Sequence, residues 1–354
     1  MINVTKSFLP PIEEYKRLID RIFESNWLTN YGPLANELEE KIGKYLNVTK
    51  PLFLTNGTIA LQIAIKALGK TGKILTTPFS YVATTSSIVW ENCEPVFVDI
   101  DPNTFNIDPA LIEEAITNDT IAILATHVFG NACDIEAIDV IAKKYGLLVI
   151  YDGAHCFGTK YKGESVYKYG DVSTCSFHAT KIFQTIEGGA VFSENNELIR
   201  KMSLLRNFGH TSPVSFDGIG INGKNSEFHA AMGLCNLNYI DEILQKRKEQ
   251  WTFYYNELID NYQLLQITKG CEFNYSYFPV IFKTESELQG VCERLNRAEI
   301  FPRRYFYPSL NLLDYVKRKD CPVSEKIASS VLCLPIYHTL TLEEQIMICH
   351  IIRN

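Results

Sequence analysis

The stretch IAILATHVFGNACDIEAIDVIAKKYGLLVIYD, residues 121–152, decides the fold class. It opens on an apolar run, IAILATHV (121–128), with the length and β-branched character of a buried strand. Asp134 stands where a helix would be capped, and IEAIDVIAKKYG reads as a helix closed by its lysines and Gly146. A second apolar run, LLVIYD (147–152), supplies the next strand. Such a strand–helix–strand unit puts Asp152 at a strand's carboxyl end, where open α/β sheets place their ligands.

Working outward, the same alternation of short apolar runs and helical patterns extends from about residue 50 to 195, which predicts an α/β core around a mostly parallel or mixed sheet. LFLT (52–55) precedes Asn56-Gly57-Thr58, and IALQIAIKALG then has the apolar spacing of a helix packed on that sheet. Residues 226–262 read as one long helical stretch or two joined helices. Beyond them YSYFPVIF (275–282) predicts a strand, ESELQGVCERLNRA (285–298) a helix and TLEEQIMICHIIRN (341–354) a closing helix. The expected division is a large domain over 1–240, whose N-terminal segment is free to pack on its neighbour, and a smaller α+β domain over 241–354. The chain carries no internal repeat.

Composition narrows the class of ligand. The 354 residues are 46% hydrophobic, enough for a sizeable core plus a second, smaller one. A formal charge of −7, with both signs mixed along the chain, argues against nucleic acid or an acidic membrane surface, which call for a clustered basic face. A small molecule is the expected partner. The N-terminus has no basic start followed by an apolar run, and no apolar stretch reaches the roughly 20 residues of a membrane helix, so a cytoplasmic location is expected. The ten cysteines form no C-x-x-C pair. Several, such as Cys93, Cys235 and Cys333, sit in apolar runs, which points to buried thiols and not to metal ligands or disulfides.

The chemistry concentrates in DVSTCSFHATKIFQTIEGGAVF (171–192), where a polar turn holding Lys181 joins two predicted strands, VSTCSFH and GGAVF. A lysine in a loop is ordinarily a solvated surface group. Here it lies between apolar strands beside Ser176, His178, Thr180 and Gly188-Gly189, surroundings that disfavour the ammonium form and let a neutral amine attack an aldehyde. An aldehyde cofactor with a pyridinium ring and a phosphate would impose further requirements, and each can be sought elsewhere in the chain. The ring nitrogen needs a carboxylate, and Asp152 is the candidate. The phosphate needs helix-start N–H groups and hydroxyls, which Gly57, Thr58 and Ser176 offer. The ring face needs an aromatic, and PFSYVAT (78–84) offers Tyr81. Taken singly, each has an ordinary reading as a turn cap, a glycine-led helix start or packing.

The ordered motifs NGT (56–58), PFSYVAT, VFVDID (96–101), YDGAHCFG (151–158), SFHATK (176–181), EGGAV (187–191), GINGKNSEFHAAMG (220–233) and RRYFYPSL (303–310) closely resemble those of the DegT/StrS-type sugar aminotransferases. The resemblance runs the length of the chain and implies a fold type I aminotransferase with pyridoxal 5′-phosphate as cofactor. Carried over by position, it makes Lys181 the cofactor-bearing lysine and proton shuttle, with Asp152 at the ring nitrogen, His155 toward the ring oxygen and Tyr81 stacked on the ring. It places Gly57, Thr58 and Ser176 at the phosphate, joined by Asn222 from the neighbouring subunit, and so implies a homodimer with shared sites. Tyr305 and Tyr307 are candidates to approach the sugar, or to pack the smaller domain. Lys224 stands where the family usually has arginine, and it cannot reproduce a guanidinium's bidentate contact; the family's acidic residue is kept as Glu227.

The implied reaction moves an amino group from L-glutamate to a dTDP-linked keto-sugar. VTKSFLPP (4–11), NWLTNYGP (26–33) and RRYFYPSL resemble the branch that aminates dTDP-4-dehydro-6-deoxy-D-glucose at C4, in surface-polysaccharide or O-antigen assembly. Sibling enzymes acting at C3, or at C4 with opposite stereochemistry, share these motifs. The dehydratase branch replaces the lysine with histidine, which Lys181 argues against. A non-catalytic sensor or assembly protein keeping the cofactor fold is the alternative of another class.

Overall fold

In a computed structural model describing residues 1–354, seven strands form one sheet. In chain order they are β1 (Leu52–Leu54), β2 (Lys73–Thr76), β3 (Glu94–Phe97), β4 (Thr120–Thr126), β5 (Leu148–Asp152), β6 (Val172–Ser176) and β7 (Gly189–Phe192). Across the sheet the order is β1-β7-β6-β5-β4-β2-β3, and only β7 runs antiparallel to its neighbours. β4 shows why these strands read as unbroken apolar runs. Ile123 and Ala125 face one side, Ala122 and Leu124 the other, and both sides are covered by helices.

The helices of this part are α1 (Ile12–Ser25), α2 (Pro33–Leu46), α3 (Gly57–Ala67), α4 (Val82–Trp90), α5 (Ile135–Tyr145), α6 (Asn196–Arg206), α7 (Glu227–Leu237) and α8 (Ile240–Leu258). Apolar residues of α2, α5 and α7 pack on one face of the sheet, those of α3 with Met202 of α6 on the other. The β4–α5–β5 unit forms as its caps predict: the Asp134 carboxylate accepts from Ala137 N, and Gly146 ends the helix at φ 63°. Asn56 caps α3 by accepting from Ile59 N at 2.8 Å. The 226–262 stretch is two helices. At Asn238 and Tyr239 the N–H groups bond to carbonyls three residues back, which tightens the turn and redirects the chain.

Past α8 lie β8 (Gln263–Leu264), β9 (Phe278–Ile281) and β10 (Val331–Leu334), an antiparallel sheet in that order, with α9 (Glu285–Arg297), α10 (Pro322–Ser330) and α11 (Leu342–Arg353). β9 is shorter than the predicted 275–282 because Tyr275 takes a left-handed φ of 58° and the Tyr275 and Ser276 carbonyls accept from Arg247 Nη1, at 3.4 and 3.0 Å, instead of joining a ladder. Leu288, Val291, Ile348 and Ile352 centre a separate apolar cluster, which Ile2 and Val4 join as Ile2 pairs in parallel with Ile300. Phe79, Phe105 and Phe129, from loops of the seven-stranded sheet, enter the same cluster. Phe306 stacks on Phe129 at 5.5 Å and so brings the 303–310 segment over the carboxyl ends of β4 and β5. All ten cysteines are unpaired, and no helix is long and apolar enough to cross a membrane.

Candidate active site

A cavity of about 530 Å³ opens where β4, β5 and β6 end, and its walls include Gly57, Thr58, Tyr81, Asp152, His155, Ser176, Lys181 and Tyr305. Of the residues expected from sequence, Asn222 and Tyr307 do not line it.

Lys181 sits in the turn between β6 and β7. The turn is held by strand-like bonds that continue past the sheet, Phe177 N to Gly188 O and Ala179 N to Ile186 O, both 2.8 Å. Within it Lys181 N donates to His178 O at 2.8 Å. Burial lowers the lysine's pKa, while the charge of Asp152 opposes that shift. The balance favours a more readily deprotonated amine than a surface lysine would have.

Asp152 ends β5, buried at 4% exposure. Its Oδ2 accepts from the Thr84 hydroxyl at 2.7 Å and its Oδ1 from Ala154 N at 3.1 Å. Thr84 Oγ1 lies 2.8 Å from Ser80 Oγ, which lies 3.1 Å from Thr126 Oγ1. A hydroxyl has one proton. Since Thr84 directs its proton to the carboxylate, Ser80 donates to Thr84 and Thr126 to Ser80, so the whole chain of dipoles points at Asp152. Burial raises the carboxyl pKa, and the Thr84 and Ala154 bonds with Lys181 pull it back. Sequence reasoning did not assign Thr84, although it closes the PFSYVAT motif; its role needed the packing of α4 against β5.

His155 is buried, and burial above all holds it neutral. Its Nδ1 is enclosed with no hydrogen-bond partner. The ring packs between Tyr277, at 4.9 Å, and Phe306, at 5.7 Å. Its backbone carbonyl receives Asn274 Nδ2 at 2.7 Å and Ser276 Oγ at 2.5 Å, a brace from the C-terminal part that sequence did not suggest.

The start of α3 is shaped by two glycines. A Cβ on Gly57 would stand 2.8 Å from Ser176 Cβ, and one on Gly189 would stand 2.4 Å from Asn56 O. Only with both absent can the helix start, the end of β6 and β7 meet so closely. The result is a cradle of N–H groups with the Ser176 and Thr58 hydroxyls beside it, suited to a phosphate. Tyr81 precedes α4 and is 58% exposed, leaving its ring free for a ligand.

Asn222 is exposed, bridged to Asn207 in a short strand pair, and accepts from Lys224 Nζ at 2.8 Å. Lys224 also lies 4.7 Å from the Phe208 ring centroid. Glu227 caps α2, its carboxylate accepting from Leu34 N at 2.7 Å and Ala35 N at 2.9 Å. Tyr307 is turned away, its ring lying 3.6 Å beneath the Arg304 guanidinium.

The donor set meets each need of pyridoxal phosphate: an amine for the aldehyde, a buried carboxylate for the ring nitrogen, an unpartnered imidazole nitrogen and a phosphate cradle. The profile of the DegT/DnrJ/EryC1/StrS aminotransferase family matches residues 12–353. The chain belongs to that family. The aminotransferase is 42% identical to the dTDP-4-amino-4,6-dideoxy-D-glucose transaminase of Shigella dysenteriae, over 96% of this chain and 95% of that one. It is 38% identical to the Escherichia coli protein of the same name, over 97% and 95%. Among solved structures, DesI in the presence of its TDP-sugar product superposes with a TM-score of 0.93 at 29% identity, covering 99% of this chain and 92% of DesI. The aminotransferase uses pyridoxal phosphate, as its family does.

Proposed function

We propose that the enzyme transfers the amino group of L-glutamate to C4 of dTDP-4-dehydro-6-deoxy-D-glucose, yielding dTDP-4-amino-4,6-dideoxy-D-glucose and 2-oxoglutarate, and that it works as a cytoplasmic homodimer. The reaction class rests on one observation, a lysine amine with lowered pKa sharing a cavity with a hydroxyl-braced carboxylate. The choice of sugar rests on the 42% identity to the Shigella transaminase.

When bound, pyridoxal phosphate supplies an electron sink for the carbon that gains or loses the amino group. Asp152 holds the proton on the ring nitrogen. His155 is the residue for the ring oxygen, while Gly57, Thr58 and Ser176 bind the phosphate, with Asn222 of a second subunit completing it. Lys181 Nζ takes the proton from the donor's α-carbon, and in the return half-reaction it delivers one to C4 of the sugar. Tyr81 and Tyr305 flank the space in which the substrate carbon must sit.

The test is to incubate the loaded enzyme with glutamate and the 4-keto-sugar and determine the product's structure. An equatorial amine at C4 is expected; an amine at C3, or an axial one at C4, would refute this substrate assignment in favour of a sibling activity. Absence of any glutamate-dependent change in the cofactor's absorbance would refute catalysis altogether.

A further inference from the structure

Both substrates of the proposed reaction are anions, a dicarboxylate donor and a pyrophosphate-bearing acceptor. A site for either needs a cation or converging N–H donors. The cavity wall contains one lysine and one arginine, Lys181 and Arg303. Lys181 is committed to the reacting carbon, which leaves Arg303.

The two adjacent arginines of RRYFYPSL are placed very differently. Arg304 pairs with Glu285 Oε1 at 2.7 Å, donates to Ser329 O at 3.0 Å and covers the Tyr307 ring. The Arg303 guanidinium has no ion pair and no hydrogen bond within the chain, yet its backbone is fixed. Arg303 N donates to Cys333 O at 3.2 Å and Cys333 N donates to Arg303 O at 2.8 Å, anchoring it to fully buried β10. An exposed arginine side chain with no partner in the chain thereby starts from a fixed point of the cavity wall, two residues from Tyr305.

Arg247 is the other arginine near Lys181, and geometry removes it. Its Nη1 donates to Tyr275 O at 3.4 Å and Ser276 O at 3.0 Å. The space it shares with Lys181 is about 10 Å³, room for about one water and not for a carboxylate. Arg247 clamps the loop that braces His155.

We propose that Arg303 is the anion receptor of this cavity, binding through its guanidinium an oxyanion of the substrate, either the donor's side-chain carboxylate or the nucleotide-sugar's phosphate. The planar fork matches both. This assignment rests on the reaction proposed above.

The test uses Arg303→Ala and Arg303→Lys, each loaded with pyridoxal phosphate, with the glutamate and keto-sugar half-reactions followed separately by absorbance. Both variants should keep the cofactor band and affinity of the native enzyme. In Arg303→Ala the KM of at least one substrate should rise about tenfold or more, the loss expected for one charge-assisted contact, with a smaller change in kcat. Arg303→Lys should recover part of the loss. A rise confined to glutamate assigns the carboxylate, and one confined to the sugar assigns the phosphate. Unchanged KM for both substrates, or a lost cofactor band, overturns the proposal. If the native enzyme fails to turn over the keto-sugar, the sugar assignment falls while the glutamate arm still judges Arg303.

Discussion

Replacing Thr84 with valine probes the hydroxyl chain behind Asp152 without changing side-chain size. The substitution removes a 2.7 Å bond to a carboxylate oxygen, one of two that Asp152 receives from the chain. A hydrogen bond to a charged group is worth about 1.5–3 kcal/mol, roughly 10- to 150-fold in an equilibrium or rate that depends on it. It also strands the Ser80 proton in a site 1% exposed, at a cost of about 1–3 kcal/mol in stability. Burial already raises the Asp152 pKa, and the Thr84 bond is the largest influence lowering it. Its loss drives the carboxyl pKa further up, so less of the enzyme carries an ionised partner for the ring nitrogen at low pH. The glutamate half-reaction should therefore slow by one to two orders of magnitude, and its acid limb should move to higher pH. Stopped-flow absorbance against pH reads the rate and the acid limb, and denaturant unfolding reads the stability. Thr84→Ser, which keeps the hydroxyl, is the control. Should Thr84→Val match Thr84→Ser in rate, pH profile and stability, the chain of dipoles has no part in holding Asp152 ionised.

Three further outcomes are expected. Lys181→Ala should lose turnover and the absorbance band of cofactor joined to the native lysine; a native spectrum in that variant would remove Lys181 from the chemistry. If Asn222 serves the neighbouring site, mixing inactive Lys181→Ala subunits with impaired Asn222→Ala subunits restores one complete site per hybrid dimer, about a quarter of native activity under random exchange, whereas no recovery would place Asn222 in its own subunit's site. His127, buried and stacked on Tyr151 at 4.5 Å, has its pKa lowered by burial from 6.5 to about 3. Between those values the unfolded chain is protonated and the folded one is not, so His127 contributes stability above pH 6.5 that is lost as pH falls toward 3. His127→Gln should flatten the stability profile in that window by at most about 1.4 kcal/mol per pH unit, read by denaturant titration; parallel profiles would refute it.

The α/β core and the positions of Lys181 and Asp152 along it were legible because their signals are local. The doubly buried β4, the Asp134 cap and the αL Gly146 are each written within a few residues, and a strand that ends at Asp152 must present it at the sheet's edge. The sequence by itself therefore determined the α/β class, the places of Lys181 and Asp152, and the glycine-led start of α3. Tertiary structure decided which side chains share one space. The hydroxyl chain to Asp152 joins residues from β4, α4 and the loop before it, and forms only because the sheet order sets those strand ends side by side. The same cause separates Arg303 from Arg304 and turns Tyr307 outward: in that segment the backbone bonds to Cys333, and the ion pair to Glu285, are made with residues distant in the chain. Periodicity and caps are properties of a single turn of backbone, whereas this cavity wall is drawn from seven separate segments of the chain.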